Sequence, residues 1–275
     1  MTISNWIRSA TASLQPISDR GSKIEAELIL AHCLKVSRVW ILAHPEHFVE
    51  DKALISCENL LTKRLNREPL AYLLGTKPFY GRDFLVNSDV LIPRPETEHL
   101  VEQVLALLEN LSGKRRVIDI GTGSGCIAIS LKLESPAAEI TAVDINASAL
   151  RVAKRNAETY GADINFCKHD IFEDWNLGEF NIVASNPPYV PIGAILEPEV
   201  RVFEPPEALF SGDAGMTHIE RLAEIFNQMV KSGGALIFEH GGEQTAAIHK
   251  LFMPHKAETL KDLAGHDRIT TIWRS

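Results

Sequence analysis

Apolar residues recur at two different periods along this chain, and the change falls near residue 75. Before it the spacing is helical. Ile24, Leu28, Ala31 and Leu34, with Leu30 beside them, follow Ser22-Lys23-Ile24-Glu25, a capping-box sequence, and predict a helix up to Lys35. Leu54, Ile55, Leu60, Leu61 and Leu65 predict a second long helix ending near Arg67-Glu68-Pro69. Nothing before Gly75 alternates as a strand would. Residues 1–75 therefore read as a small all-α domain of four or five short helices, or as helical decoration of a larger domain.

Residues 76–92 read as a β-hairpin linker. Phe79 to Val86 place aromatic and β-branched residues around a Gly81-Arg82-Asp83 turn, and Asn87-Ser88-Asp89 turns the chain into Val90-Leu91-Ile92. Residues 93–275 read as one α/β domain. A helix from about Glu98 to Leu108 precedes the strand Val117–Ile120, the helix Cys126–Leu133, the strand Ile140–Val143 and the helix Asn146–Tyr160. The strands Ile164–Cys167 and Asn181–Ala184, the helix Met216–Val230 and the strand Ala235–Glu239 follow. Continuous apolar strands separated by amphipathic helices predict a parallel sheet covered on both faces. Ala257–Leu260 and Arg268–Trp273 predict an antiparallel edge pair.

Composition narrows the partners. Of 275 residues 45% are hydrophobic and 23% charged, an ordinary globular balance, and the net charge of -8 opposes stable nucleic-acid binding. Met1 to Ala12 holds no long apolar run, so no signal peptide or membrane span is expected, and the expected location is cytoplasmic. Cys33, Cys57, Cys126 and Cys167 stand singly and read as small core hydrophobes. His44 and His47 flank Pro45 without further ligands, so they read as a solvent-facing loop and no metal is predicted.

The chemistry begins at Asp119-Ile120-Gly121-Thr122-Gly123-Ser124-Gly125-Cys126, which leaves a strand and opens a helix. Such a loop brings a ligand to the backbone where the helix's free N–H groups point outward. Asp144 ends the next strand, where a carboxylate would hold a ribose diol. A dinucleotide site wants a third glycine where Cys126 stands, whereas G-x-G-x-G suits a nucleoside bearing an amino acid and no pyrophosphate, such as S-adenosylmethionine. Asp119 has two readings, a ligand for the donor's ammonium or a loop-stabilising carboxylate. Asp170, with Ile171 and Phe172, reads as the adenine wall or as an exposed loop aspartate beside a core phenylalanine.

After the apolar run Phe180 to Val183 comes Ala184-Ser185-Asn186-Pro187-Pro188-Tyr189. The prolines alone would serve as a strand terminator. In an open α/β sheet, however, ligands lie beyond the carboxyl ends of the strands, which gathers Asn186 with the glycine loop, Asp144 and Asp170. Asn186 Oδ1 and the Pro187 carbonyl then offer two rigid acceptors, and Tyr189 an aromatic wall. A group gripped by two acceptors is a double donor, and a planar NH2 fits. Its methylation needs positioning and preorganised electrostatics rather than a strong base, because the nitrogen becomes acidic as it reacts.

Asn-Pro-Pro-Tyr on such a sheet resembles the amino methyltransferases that act on planar NH2 groups. Leu70-Ala71-Tyr72-Leu73-Leu74-Gly75, Phe79-Tyr80-Gly81, Leu91 to Glu98, Asp119 to Gly125, Phe203-Glu204-Pro205, Ala208-Leu209 and Glu239-His240-Gly241 narrow the resemblance. Together they resemble the HemK/PrmC family of release factor N5-glutamine methyltransferases, over nearly the whole chain. The resemblance implies a class I, Rossmann-like, mostly parallel seven-stranded sheet with an antiparallel edge, and S-adenosylmethionine as donor. It also implies as substrate the glutamine of the Gly-Gly-Gln motif in class-1 peptide chain release factors, with the helical domain gripping that partner. By the match of motifs Gly121 to Gly125 and Asp144 bind the donor, Asn186 to Tyr189 bind the glutamine, and Asn186 also reads as a donor contact. Some members place a tryptophan after the aspartate, where this chain has Ile171. The rival reading is an adenine-N6 methyltransferase acting on DNA or RNA, since the same motif suits a flipped base. Arg94, Glu96 and Glu98 read either as a closure over the donor or as a plain helix entry, and Glu204 as a pocket border or part of a rigid surface loop.

Overall fold

The computed structural model describes residues 1–275 except Arg20 and Ser112. The chain divides into two compact units, the first made of residues 1–75 with 197–203 and the second of residues 76–196 with 204–275.

The first unit holds α1 (Ile3–Leu14), α2 (Ser22–Leu34), α3 (Arg38–Ala43), α4 (Asp51–Leu65) and α5 (Leu70–Leu74). They enclose Ile3, Trp6, Leu14, Ile29, Leu30, Ile41 and Leu61. The expected capping box does not form. Ser22 is already the first helical residue, Gly21 caps without a side chain, and Glu25 instead accepts from Ser18 Oγ at 2.7 Å and Arg64 Nε at 2.7 Å. The face of α2 also differs from the expected one: Ala26, Ile29 and Leu30 are buried while Ile24 is 46% exposed. Apolar side chains lie around most of this helix, so periodicity alone does not select a face.

The contribution of residues 197–203 has no signature in the sequence pattern. Glu199 Oε1 lies 2.9 Å from Arg64 Nη1 and 3.3 Å from Arg67 Nη1, and Glu197 is 3.7 Å from Arg67. Arg64 is buried, so Glu199, together with Glu25, balances a charge that is largely withdrawn from water. His44 is less a solvent loop than expected, because it stacks on Trp40 at 4.3 Å.

The second unit begins with the hairpin β1 (Thr76–Phe79) and β2 (Arg82–Leu85). Its turn is Tyr80-Gly81, both at positive φ, one step earlier than the expected Gly81-Arg82-Asp83. Such a two-residue turn matches the twist of the strands it joins. Phe79 and Phe84 belong to the core of this unit, so residues 76–85 are packed rather than a free tether.

Then follow α6 (Glu98–Glu109), β3 (Arg116–Ile120), α7 (Cys126–Glu134), β4 (Glu139–Asp144), α8 (Ala147–Tyr160), β5 (Asn165–Lys168) and β6 (Phe180–Ser185). After α9, the Pro198–Phe203 helix of the first unit, come α10 (Thr217–Met229), β7 (Val230–Glu239), α11 (Thr245–Leu251), β8 (Lys256–Lys261) and β9 (Asp267–Trp273). The seven strands lie in the order β5-β4-β3-β6-β7-β9-β8. β5, β4, β3, β6 and β7 run parallel, while β9 is antiparallel to both β7 and β8.

Alternation across the sheet divides the core in two. Val117, Ile182, Ala184 and Ile237 pack with Leu100 and Val104 of α6 and Ile127 of α7. Ile118, Val183, Leu236 and Phe238 pack with Leu222 and Phe226 of α10 and Ile248 of α11. Each such Val, Leu, Ile or Phe side chain, fully buried, contributes about 1.5–3 kcal/mol of transfer free energy. Among the described residues no helix is long and apolar enough to cross a membrane, and no group of His, Cys, Asp and Glu is placed to hold a metal ion.

Candidate active site

Strand order reverses between β3 and β6, and a cavity of about 380 Å³ opens beyond their carboxyl ends. Its wall includes Gly121 to Ser124 after β3, Asp144 at the end of β4, Asp170 to Phe172 after β5, and Asn186 to Pro188 after β6. Three expected residues are not on that wall: Asp119, Gly125 and Tyr189.

The glycine loop is fixed by its neighbours. Gly121 N and Thr122 N both donate to Val143 O, at 2.9 and 3.0 Å, and Gly123 N donates to Asp144 Oδ2 at 2.9 Å. Ser185 Oγ donates to Ile120 O at 2.8 Å, tying the end of β3 to that of β6. From α8, Asn156 Nδ2 donates to Ser124 O at 2.8 Å and to Leu85 O at 3.0 Å, and Asn156 Oδ1 accepts from Leu85 N at 2.8 Å. A Cβ on Gly123, whose φ is +54°, would meet nothing within 4 Å, so this part of the loop opens onto the cavity. A Cβ on Gly125 would press on Ile129 Cδ1 at 3.0 Å and Ala153 Cβ at 3.1 Å, so its lack of a side chain serves the packing of α7 on α8.

Asp119 is wholly buried and accepts from Thr122 Oγ1 at 2.7 Å through Oδ2. Burial pushes its carboxyl up to about 7, the Thr122 hydrogen bond opposing. The loop-stabilising reading is thus the one its position supports. Asp144 is raised by burial and pulled back by the N–H groups of Asn146 and Gly123. Asp170 Oδ1 accepts from Phe172 N at 2.9 Å, while Ile171 is buried and the Phe172 ring meets His218 edge-on with centroids 5.2 Å apart. His218 also lines the cavity and bonds Ser211 Oγ through Nδ1 at 2.7 Å; burial lowers its pKa. An aromatic wall therefore exists beside Ile171, supplied by the next residue in the chain and by α10.

At the exit of β6, Asn186 Nδ2 donates to Thr97 Oγ1 at 3.1 Å, and Thr97 Oγ1 donates to Glu239 Oε2 at 2.7 Å. Tyr189 Oη donates to Glu239 Oε1 at 2.8 Å. The expected aromatic wall at Tyr189 is therefore replaced by an anchor, since its phenol is drawn to a buried carboxylate. Burial, then the charge and hydrogen bond of Glu239, push the phenol pKa up and keep it a donor. Gln244 Nε2 holds the same exit through Tyr189 O at 3.0 Å and Gly215 O at 3.1 Å. Glu204 is no surface residue: it is buried, accepts from Ile92 N at 3.0 Å and pairs with Arg94, on the cavity wall, at 2.6 Å. Glu98 accepts from Tyr80 N at 2.8 Å and so anchors the hairpin turn to the start of α6.

The residues present fit a nucleoside that carries an amino acid. The loop is open at Gly123, a carboxylate stands at the end of β4, and an apolar and aromatic wall follows β5. A family model described as the methyltransferase small domain matches residues 100–197, and one described as the PrmC N-terminal domain matches residues 5–75. A solved methyltransferase from Pyrococcus furiosus shares the fold, with a TM-score of 0.51 at 18% identity over 78% of this chain and 97% of that one. Sheet order, glycine loop and cavity are those of a Rossmann-like, S-adenosylmethionine-dependent methyltransferase. The chain is 38% identical over 277 residues to the release factor glutamine methyltransferase of Nitratidesulfovibrio vulgaris, covering 97% of this chain and 93% of that protein. It is 41% identical over 255 residues to the protein of the same name from Neisseria gonorrhoeae, covering 90% and 92%. The chain belongs to the release factor glutamine methyltransferase family.

Proposed function

We propose that Asn186 Oδ1 and the Pro187 carbonyl grip the side-chain amide of a glutamine while the cavity holds the methyl donor. The reaction is transfer of a methyl group to glutamine N5 in a peptide chain release factor, and S-adenosylmethionine, when bound, supplies an electrophilic methyl. Gly121 to Ser124 and Asp144 hold the donor's amino acid and ribose ends, with Asp170, Ile171 and Phe172 around its adenine. Asp119 and Gly125 act on the donor through the shape of the loop.

The observation that carries this reading is the anchoring of Asn186 Nδ2 on Thr97 at 3.1 Å. It leaves the carbonyl arm of that amide as the acceptor offered to the cavity, next to the glycine loop. The rigid Pro187-Pro188 exit fixes the second acceptor. Two acceptors drawing on the N–H bonds orient the nitrogen lone pair and stabilise the positive charge that grows on the nitrogen, an effect of position and preorganised dipoles. Once methylated, the nitrogen is acidic enough to release its proton without a dedicated base.

The partners are class-1 release factors bearing the Gly-Gly-Gln motif, met in the cytoplasm during translation termination, with residues 1–75 as a substrate-recognition domain. A labelled donor offered separately to a class-1 release factor, to DNA and to RNA tests this. Label on the motif glutamine, located by peptide mass spectrometry, supports the proposal; label on adenine would replace it with a nucleic-acid methyltransferase.

A further inference from the structure

We propose that Thr97 and Glu239 are positioning residues for the transfer, a buried carboxylate fixing the direction of a hydrogen-bond chain that decides which end of the Asn186 amide faces the substrate. The inference rests on the clamp proposed above and concerns what orients it.

An asparagine amide has two ends of nearly equal size, one a donor and one an acceptor. Only the acceptor can grip an NH2 group, so a reversed Asn186 would set two donors against each other. Shape alone does not prevent the reversal; the partner of the inner end must. That partner is Thr97 Oγ1, a hydroxyl that can itself donate or accept.

Glu239 removes the choice. An ionised carboxylate has no proton to give, so both its oxygens accept. Thr97 must point its proton at Oε2, 2.7 Å away, and Tyr189 must point its own at Oε1, 2.8 Å away. With its proton committed, Thr97 can only accept from Asn186, which turns the amide nitrogen inward and the carbonyl outward. Two donors ending on one carboxylate thus set both side chains of the strand exit.

The placement is consistent with a directional task. Glu239 ends β7 beside the end of β6, 2% exposed, and Thr97, also 2% exposed, closes the turn before α6. Burial, the largest influence, raises the carboxyl's pKa on balance against the two hydroxyl donors and Arg268 on β9, with Glu96 adding to the rise, so the chain is directional at pH values where Glu239 is ionised. An apolar residue would fill the same space without that penalty, but it would leave Thr97 free to turn.

The test is steady-state methylation of a release factor by the full chain, with donor affinity measured separately by calorimetry. Thr97→Val, which keeps the shape and removes the hydroxyl, is expected to lower kcat roughly ten- to a hundredfold. Donor affinity should stay within about twofold, because Thr97, although on the cavity wall, spends its hydroxyl on Asn186 and Glu239 rather than on Gly121 to Ser124, Asp144 or Asp170. Thr97→Ser should recover most of the turnover, and Glu239→Gln, whose amide can face Thr97 with either end, should fall between. Thr97→Val with unchanged kcat, Thr97→Ser falling as far as Thr97→Val, or a loss confined to donor binding would each overturn the inference. Should Thr97→Val fail to bind donor at all, Glu239→Gln decides, and parental kcat in it overturns the inference. Asn186→Ala separates the two levels: normal turnover there refutes the clamp, whereas an inactive Asn186→Ala beside a fully active Thr97→Val refutes only the orienting chain.

Discussion

Asp119 sits at the start of the glycine loop with its carboxyl raised to about 7 by burial. A carboxyl raised in the folded state binds its proton more tightly there than in the unfolded chain, where it titrates near 4. Its contribution to stability is therefore present at low pH and is lost as pH rises from about 4 to about 7. Urea unfolding without donor, compared between the parent and Asp119→Asn across this range, should show a steeper loss of stability with rising pH in the parent than in the variant. The difference amounts to at most about 4 kcal/mol. Asp144 and Glu239 are raised in the same direction but remain in both proteins, so the difference reports Asp119 together with its repulsion from Asp144. Equal slopes would mean that Asp119 titrates in the folded protein as it does in the unfolded chain. At this scale the sequence was readable where chemistry is local: Gly121 to Ser124 follow a strand, and Asn186 and Pro187 end one. Thr97, Glu239 and Asn156 were not readable as site residues, because their partners lie far along the chain and a lone threonine, glutamate or asparagine has no periodicity. From the motif alone Tyr189 reads as a wall for the same reason, because its partner Glu239 lies 50 residues further along the chain.

The element on which the site depends is the exit of β6, a rigid segment held from behind by the loop before α10. A Cβ on Gly215 would lie 2.2 Å from Tyr189 O and 2.7 Å from Gln244 Nε2, and its φ of +71° disfavours any side chain. Gly215→Ala should therefore displace the Tyr189 backbone, costing about 1–3 kcal/mol of stability and lowering turnover more than donor affinity. Thermal unfolding together with kcat and donor binding checks this; an unperturbed kcat would show that the exit tolerates movement. The parallel strands were plain from their apolar runs, since burial on both faces leaves little else. β7 reaches back to Val230, where a helix end was expected, because Phe180 pairs with Val230 across an irregular register. The short helices α9 and α11 were missed, being too brief for helical periodicity to emerge.

For the whole molecule, a change of grammar near residue 75 was legible, but the return of residues 197–203 to the helical unit was not. That return is made by charge rather than apolar pattern: Arg64, 6% exposed, lies between Glu25 and Glu199. Arg64→Ala leaves both carboxylates without their buried partner and should cost about 3–5 kcal/mol. Hydrogen exchange should show lost protection in α9; unchanged exchange would mean that apolar contacts hold the helix. Function depends on one interaction above the rest, the grip of Asn186 on the glutamine amide, which should contribute little to holding the donor. The most direct measurement is single-turnover methylation of a release factor by Asn186→Ala at saturating donor, with donor affinity determined on the same sample. The account predicts transfer slowed at least about a hundredfold with affinity nearly unchanged. Normal transfer, or a loss that follows weakened donor binding, would contradict it.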